Sequence, residues 1–139
     1  MRENKLVYIA SPYAGDVEKN MEFAKAACRY AASQGHTPIA VHLMYPRFLN
    51  DGDPEERSRG LRMGLRVLQA CDELWLCGDH LSIGMQEEKE FAEKLGIPIR
   101  MVPSYLIEAK QEPRVMEEVK EARETIEAIE AGPAMEWSQ

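Results

Sequence analysis

Residues 72–95 read DELWLCGDHLSIGMQEEKEFAEKL: a short apolar run, a loop that holds a glycine, and a stretch of helical period. The apolar run, with its leucines and tryptophan between polar residues, has the composition of a buried strand. In the helical stretch, a wheel of about 100° per residue centred on Glu88 brings Gly84, Met85, Phe91, Ala92 and Leu95 to its side. Gln86, Glu87, Lys89, Glu90, Glu93 and Lys94 fall on the flanks or the back. Glu88 is therefore an acid inside the apolar stripe. An ionised carboxylate turned toward a core costs roughly several kcal/mol unless something there uses it. Serving the helix dipole is the plainer reading, but Glu87 can do that without facing inward.

The same alternation extends both ways. Upstream, residues 5–10 (KLVYIA) form a strand, broken by the turn chemistry of Ser11-Pro12-Tyr13-Ala14-Gly15. Asp16 caps a helix whose inward face is Val17, Met21, Ala24, Cys28 and Ala31, and Gly35 ends it. Residues 37–41 (TPIAV) form a second strand, and residues 42–53 a loop loaded with His42, Tyr45, Arg47, Phe48, Asn50 and Asp51. Asp53-Pro54-Glu55-Glu56 then starts a helix with Leu61, Leu65 and Leu68 inward and Arg59, Arg62 and Arg66 on another stripe. Residues 97–102 (IPIRMV) supply a fourth strand. Strands that are nearly continuous in apolar residues and alternate with helices predict an α/β fold. The expected form is a three-layer flavodoxin/Rossmann-like parallel sheet of about four or five strands.

After Val102 the pattern changes. Pro103 and Pro113 bracket a short segment, and residues 114–131 read as a charged helix with a narrow seam of Val115, Val119, Ala122, Ile126 and Ile129. The expected organisation is an α/β domain over residues 1–103 and a C-terminal helical extension over 104–139, whose seam either packs back on the domain or pairs with another subunit to make a homo-oligomer.

At 139 residues, with 45% hydrophobic and 29% charged residues, the chain is of the size and composition of one globular domain. A net charge of −7 argues against a duplex nucleic-acid partner, which requires a basic footprint. No apolar run approaches the ~20 residues of a membrane span, and MRENKLVYIA has no signal-peptide core, so a cytoplasmic protein is expected. Cys28, Cys71 and Cys77, odd in number and without CxxC spacing, read as reduced core thiols.

In open α/β sheets ligands bind at the carboxyl ends of the strands. Those ends carry Ser11, Pro12 and Tyr13, then His42, then Gly78, Asp79, Ser82, Gly84 and Met85, all expected to line a small-molecule site that Glu88 faces. The free N–H groups at the start of the Glu88 helix suit an anion, with Ser82 as cap or phosphate donor. His42 reads either as a loop histidine or as a site residue, Asp72 as a turn former, and the arginine stripe as a solvated face. His36, His42 and His80 lack metal-ligand spacing, and GxGxxG and GxxxxGK[ST] are absent, so neither a metal nor another cofactor is expected.

The segments YIASPYAG, CDELWLCGD and SIGMQEEKEFAEKLGIPI together resemble the nucleoside 2-deoxyribosyltransferase-like superfamily, and more closely an uncharacterised branch of it common in bacteria and phages. The likeness runs from about Tyr8 to Met101. It implies a transferase or N-glycosidase acting on nucleosides or nucleotides, with a carboxylate nucleophile in a G-x-x-x-E arrangement that Gly84 to Glu88 reproduces. It also implies that Tyr8 holds that carboxylate, and that serine at position 82 accompanies a phosphorylated substrate. Where the resembled enzymes carry an aspartate for proton transfer to the base, this chain has Gly64. The alternative is a non-catalytic nucleotide-binding or sensing module with the same fold.

Overall fold

The computed structural model describes residues 4–109 and 113–131. Four parallel strands, β1 (Leu6–Ala10), β2 (Thr37–Ile39), β3 (Glu73–Cys77) and β4 (Ile99–Val102), form one sheet in the order β2-β1-β3-β4. Between them run α1 (Val17–Ser33), α2 (Pro54–Ala70) and α3 (Ile83–Leu95), followed by α4 (Ser104–Ala109) and α5 (Pro113–Glu130). This is the α/β architecture expected from the alternating pattern, at the lower strand count. Among the described residues no helix is long and apolar enough to cross a membrane.

The strand order fixes which helices share a face. The chain moves one way from β1 to β2 and the other way from β2 to β3 and from β3 to β4. Right-handed crossovers then put α1 on one face of the sheet and α2 and α3 on the other. The two cores follow this division and the two-residue alternation of the strands. Val7, Ile9, Trp75 and Cys77 pack with Ala27, Tyr30 and Ala31 of α1 and Ile107 of α4. Tyr8, Ala10, Leu74 and Leu76 pack with Leu68 of α2 and Met85 and Ala92 of α3.

The helix ends obey the sequence signals. Asp16 accepts from the Lys19 N–H, Asp53 from Glu55 and Ser82 from Met85, while Gly35 (φ 88°) and Gly96 (φ 73°) take left-handed turns after α1 and α3. Asp72 accepts from the Leu6 N–H at 2.8 Å, tying the entrance of β3 to that of β1. Burial pushes the thiols of Cys28 and Cys71 up to about 11 and that of Cys77 up to about 12, which leaves them protonated and unreactive at neutral pH.

The structure also departs from expectation in places. The second strand stops at Ile39, and the chain continues into two 3₁₀ turns, Val41–Leu43 and Tyr45–Arg47. β2 is an edge strand with a single neighbour, and the early turn lets Val41 enter the core, 4% exposed. β4 begins at Ile99 because the Ile97 N–H is bonded to the Ala92 carbonyl and closes α3. Val17 and Leu61, expected inward, are 36% and 50% exposed. In α5 the seam residues Ala122, Ile126 and Ile129 are exposed, whereas Val115 and Val119 lie outside the residues whose side chains are described.

Candidate active site

Tyr8 stands in the middle of β1 with its side chain on the α2/α3 face, 1% exposed. Its hydroxyl donates to the carboxylate of Glu88, eighty positions along the chain on α3. The wheel position of Glu88 is therefore realised: the carboxylate points at the sheet rather than at solvent. Burial pushes the Glu88 carboxyl up from 4.5 to about 7; the Tyr8 hydrogen bond pulls against that shift and the charge of Glu87 adds to it. Tyr8 itself is driven far above the ordinary phenol range, by burial first and then by the Glu88 charge, so it is a permanent donor.

The carboxylate and the phenol open onto a cavity of about 130 Å³. Its floor is Tyr8. One wall is the loop after β2, with Val41, His42, Tyr45 and Pro46; another is the first half of α2, from Glu56 to Leu65; Gly84, Glu87 and Glu88 of α3 complete it. Leu61, half exposed, lines this space rather than the core. Tyr13, from the loop after β1, stacks on His42 with ring centroids 4.9 Å apart and planes 19° from parallel. Gly64 belongs to the wall too. A Cβ there would lie 3.2 Å from the Tyr8 hydroxyl and 3.7 Å from Val41, so the position has no room for a side chain unless Tyr8 moves.

Of the catalytic and substrate-binding residues expected from the sequence, Tyr8, Tyr13, His42, Gly84 and Glu88 meet at this cavity. The others lie outside its walls, each with a local task. Ser11 is buried directly after β1, and Gly78 adopts φ 116° with Pro12 and Phe23 near it. Asp79 accepts from the backbone N–H of Ser104 at 3.0 Å and from its hydroxyl, joining the loop after β3 to α4. Ser82 caps α3, and Met85 fills the core beneath it. Arg59, Arg62 and Arg66 are exposed and outside the cavity.

Other wall residues carried weaker signals. Asp51, Glu56 and Arg57 line the cavity. The Arg57 Nε donates to the Asp51 carbonyl at 3.2 Å and stands 3.6 Å from its carboxylate, and Glu56 accepts from the Asn50 N–H at 3.2 Å. The dense polar content of residues 42–53 is a local hint of Asp51, whereas Glu56 and Arg57 follow that stretch in the first turn of α2, where Glu56 signals only a helix start. Among the described residues no group of three His, Cys, Asp or Glu side chains is arranged to hold a metal ion.

A family model described as "Domain of unknown function (DUF7768)" matches residues 5–102. The chain belongs to that family. The matched span of this DUF7768 member covers the whole sheet, Tyr8 and Glu88. No curated protein matches it. Among solved structures it is similar to a 2-deoxyribosyltransferase from Bacillus psychrosaccharolyticus, with a TM-score of 0.60 and 20% identity over 70% of this chain and 72% of that one. At that identity the likeness is one of fold.

Proposed function

We propose that this chain acts on the N-glycosidic bond of a nucleoside, with Glu88 as nucleophile and Tyr8 holding its carboxylate. The observation that supports this best is the inward carboxylate itself, bonded to a buried phenol beside an open cavity at the carboxyl ends of the strands. In its ionised form Glu88 attacks C1′, the bond to the base breaks with its electron pair leaving on nitrogen, and a glycosyl ester forms. Water, or a second base, then releases the sugar. The substrate is the unphosphorylated nucleoside rather than the nucleotide. The cavity walls carry Asp51, Glu56, Glu87 and Glu88 against the single guanidinium of Arg57, so a phosphate would meet more carboxylates than cations. The protein belongs on this reading to the bacterial and phage branch of the deoxyribosyltransferase-like superfamily. It works in the cytoplasm, where Cys28, Cys71 and Cys77 stay unpaired, and residues 104–139 serve to associate copies of the chain.

A panel of 2′-deoxynucleosides and their 5′-monophosphates, followed by chromatography of free base, tests the reading. Wild type should release base from at least one deoxynucleoside faster than from its monophosphate, and Glu88→Gln should abolish release. No release by wild type, or equal release by the variant, overturns it. Gly64, where the resembled enzymes have an aspartate, favours the second reading, a nucleoside-sensing module. That reading gains if calorimetry detects binding without turnover.

A further inference from the structure

Breaking a glycosidic bond to a base calls for a proton on the departing nitrogen, and Gly64 supplies none. The cavity offers few substitutes. Glu88 is committed to attack and Tyr8 to holding it. Glu56 accepts from the Asn50 N–H, and Asp51 is engaged with Arg57. His42 is different. It lines the same cavity from the loop after β2, on the opposite flank of β1 from α3, so a substrate with C1′ at Glu88 can extend its base toward the imidazole. Its ring is held flat against Tyr13. Among the described residues its ring nitrogens have no hydrogen-bond partner, and no side-chain nitrogen or oxygen is both sealed from solvent and unpaired, so they reach solvent on a residue that lines the cavity.

We propose that His42, with the Asp51 carboxylate nearby and Tyr13 stacked on its ring, protonates the departing base. This rests on the function proposed above. The imidazolium N–H gives its proton to the base nitrogen as the C1′–N bond breaks, its electron pair stays on that nitrogen, and the C1′–O bond to Glu88 forms. In the second half neutral His42 takes a proton from water as its oxygen attacks C1′ and Glu88 departs as carboxylate, which restores both groups. The active form has Glu88 ionised and His42 protonated. Burial pushes His42 below 6.5 and the Asp51 charge resists, while Tyr45, Glu56, Arg57 and Glu87 are the other charged or titratable groups of the cavity. Because Glu88 holds its proton up to about 7 and His42 gives up its own below 6.5, the active form is the minor one of the two that carry a single proton. Activity on an ordinary nucleoside passes through a maximum and falls above about 7, where the last proton leaves the pair.

An N7-methylated purine nucleoside separates the roles, because its base departs as a neutral molecule and needs no proton. His42→Gln should lower kcat/KM about 100-fold or more on the unmethylated nucleoside and less than about threefold on the methylated one. For wild type, methylation should remove the alkaline fall. Asp51→Asn, which makes the imidazolium rarer, should lower the maximum on the ordinary substrate and move its acid limb to lower pH, and this arm decides if His42→Gln does not fold. Equal losses on both substrates, no loss on either, or an unchanged maximum and acid limb in Asp51→Asn overturn the assignment of His42. If Glu88→Gln silences both substrates in those same assays, the nucleophile stands and only the proton donor is wrong. Activity that survives Glu88→Gln, or a wild type that turns over neither nucleoside, overturns both.

Discussion

Gly64 and the Tyr8 hydroxyl occupy adjacent space: a methyl carbon on Gly64 would sit 3.2 Å from that oxygen. The glycine lies inside α2, where it costs about 1 kcal/mol of helix propensity relative to alanine. Gly64→Ala should therefore gain on propensity and lose on contact, leaving thermal stability within about 1 kcal/mol of wild type. Tyr8 must give way, however, so base release should fall at least about tenfold if its contact with Glu88 positions the nucleophile. Unchanged kcat/KM would mean that the contact is dispensable. Gly64→Asp, which supplies an acid at this position, should not raise activity for the same steric reason.

Glu88 makes stability depend on pH. Its carboxyl is raised from 4.5 to about 7 in the folded chain, so the folded state holds a proton that the unfolded state has released. Stability is therefore lost as pH rises from 4.5 through 7, reaching about 3 kcal/mol as an order of magnitude above that range. Glu88→Gln lacks this slope. Denaturant unfolding of both proteins at acid and alkaline pH should show the variant gaining on wild type as pH rises; a difference independent of pH would contradict the burial of the charge.

Tyr8→Phe removes the donor that favours ionised Glu88. A hydrogen bond to a charged group contributes about 1.5–3 kcal/mol, so the Glu88 carboxyl should titrate about one to two pH units higher in the variant. Carbon-13 NMR of the Glu88 side chain reads this directly. A titration point at or below that of wild type would rule out the tyrosine as its stabiliser.

Ser82 is expected to act as a helix cap. Its hydroxyl accepts the Met85 N–H at 3.2 Å. Ser82→Ala should cost about 1 kcal/mol of stability and leave KM for a deoxynucleoside unchanged. A selective rise in KM for monophosphates would instead identify it as a phosphate ligand.

The exposed α5 residues Ile126 and Ile129, 56% and 71% accessible, are proposed to meet another copy of the chain. Native mass measurement should give an oligomer that dissociates when residues 113–139 are deleted. An unchanged mass would assign the seam elsewhere.

The sequence by itself determined the layers and the position of the nucleophile candidate. Both are local: the two-residue period put Tyr8 on one face of β1, and the helical period put Glu88 on the inner face of α3. Capping residues marked Asp16, Asp53 and Ser82 for the same reason, since a cap acts within one turn. β2 ends at Ile39, short of the span 37–41 that its pattern predicts, because an edge strand ends where tertiary packing claims its next residues, here Val41. Only the fold decided that Gly64 abuts Tyr8, that His42 stacks on Tyr13, and that Asp51, Glu56 and Arg57 line the same cavity. It also gave Asp79 and Ser82 structural partners of their own. Periodicity reports which way a side chain points from its own element. What it meets there depends on strand order and crossover hand, which bring residues dozens of positions apart to one place.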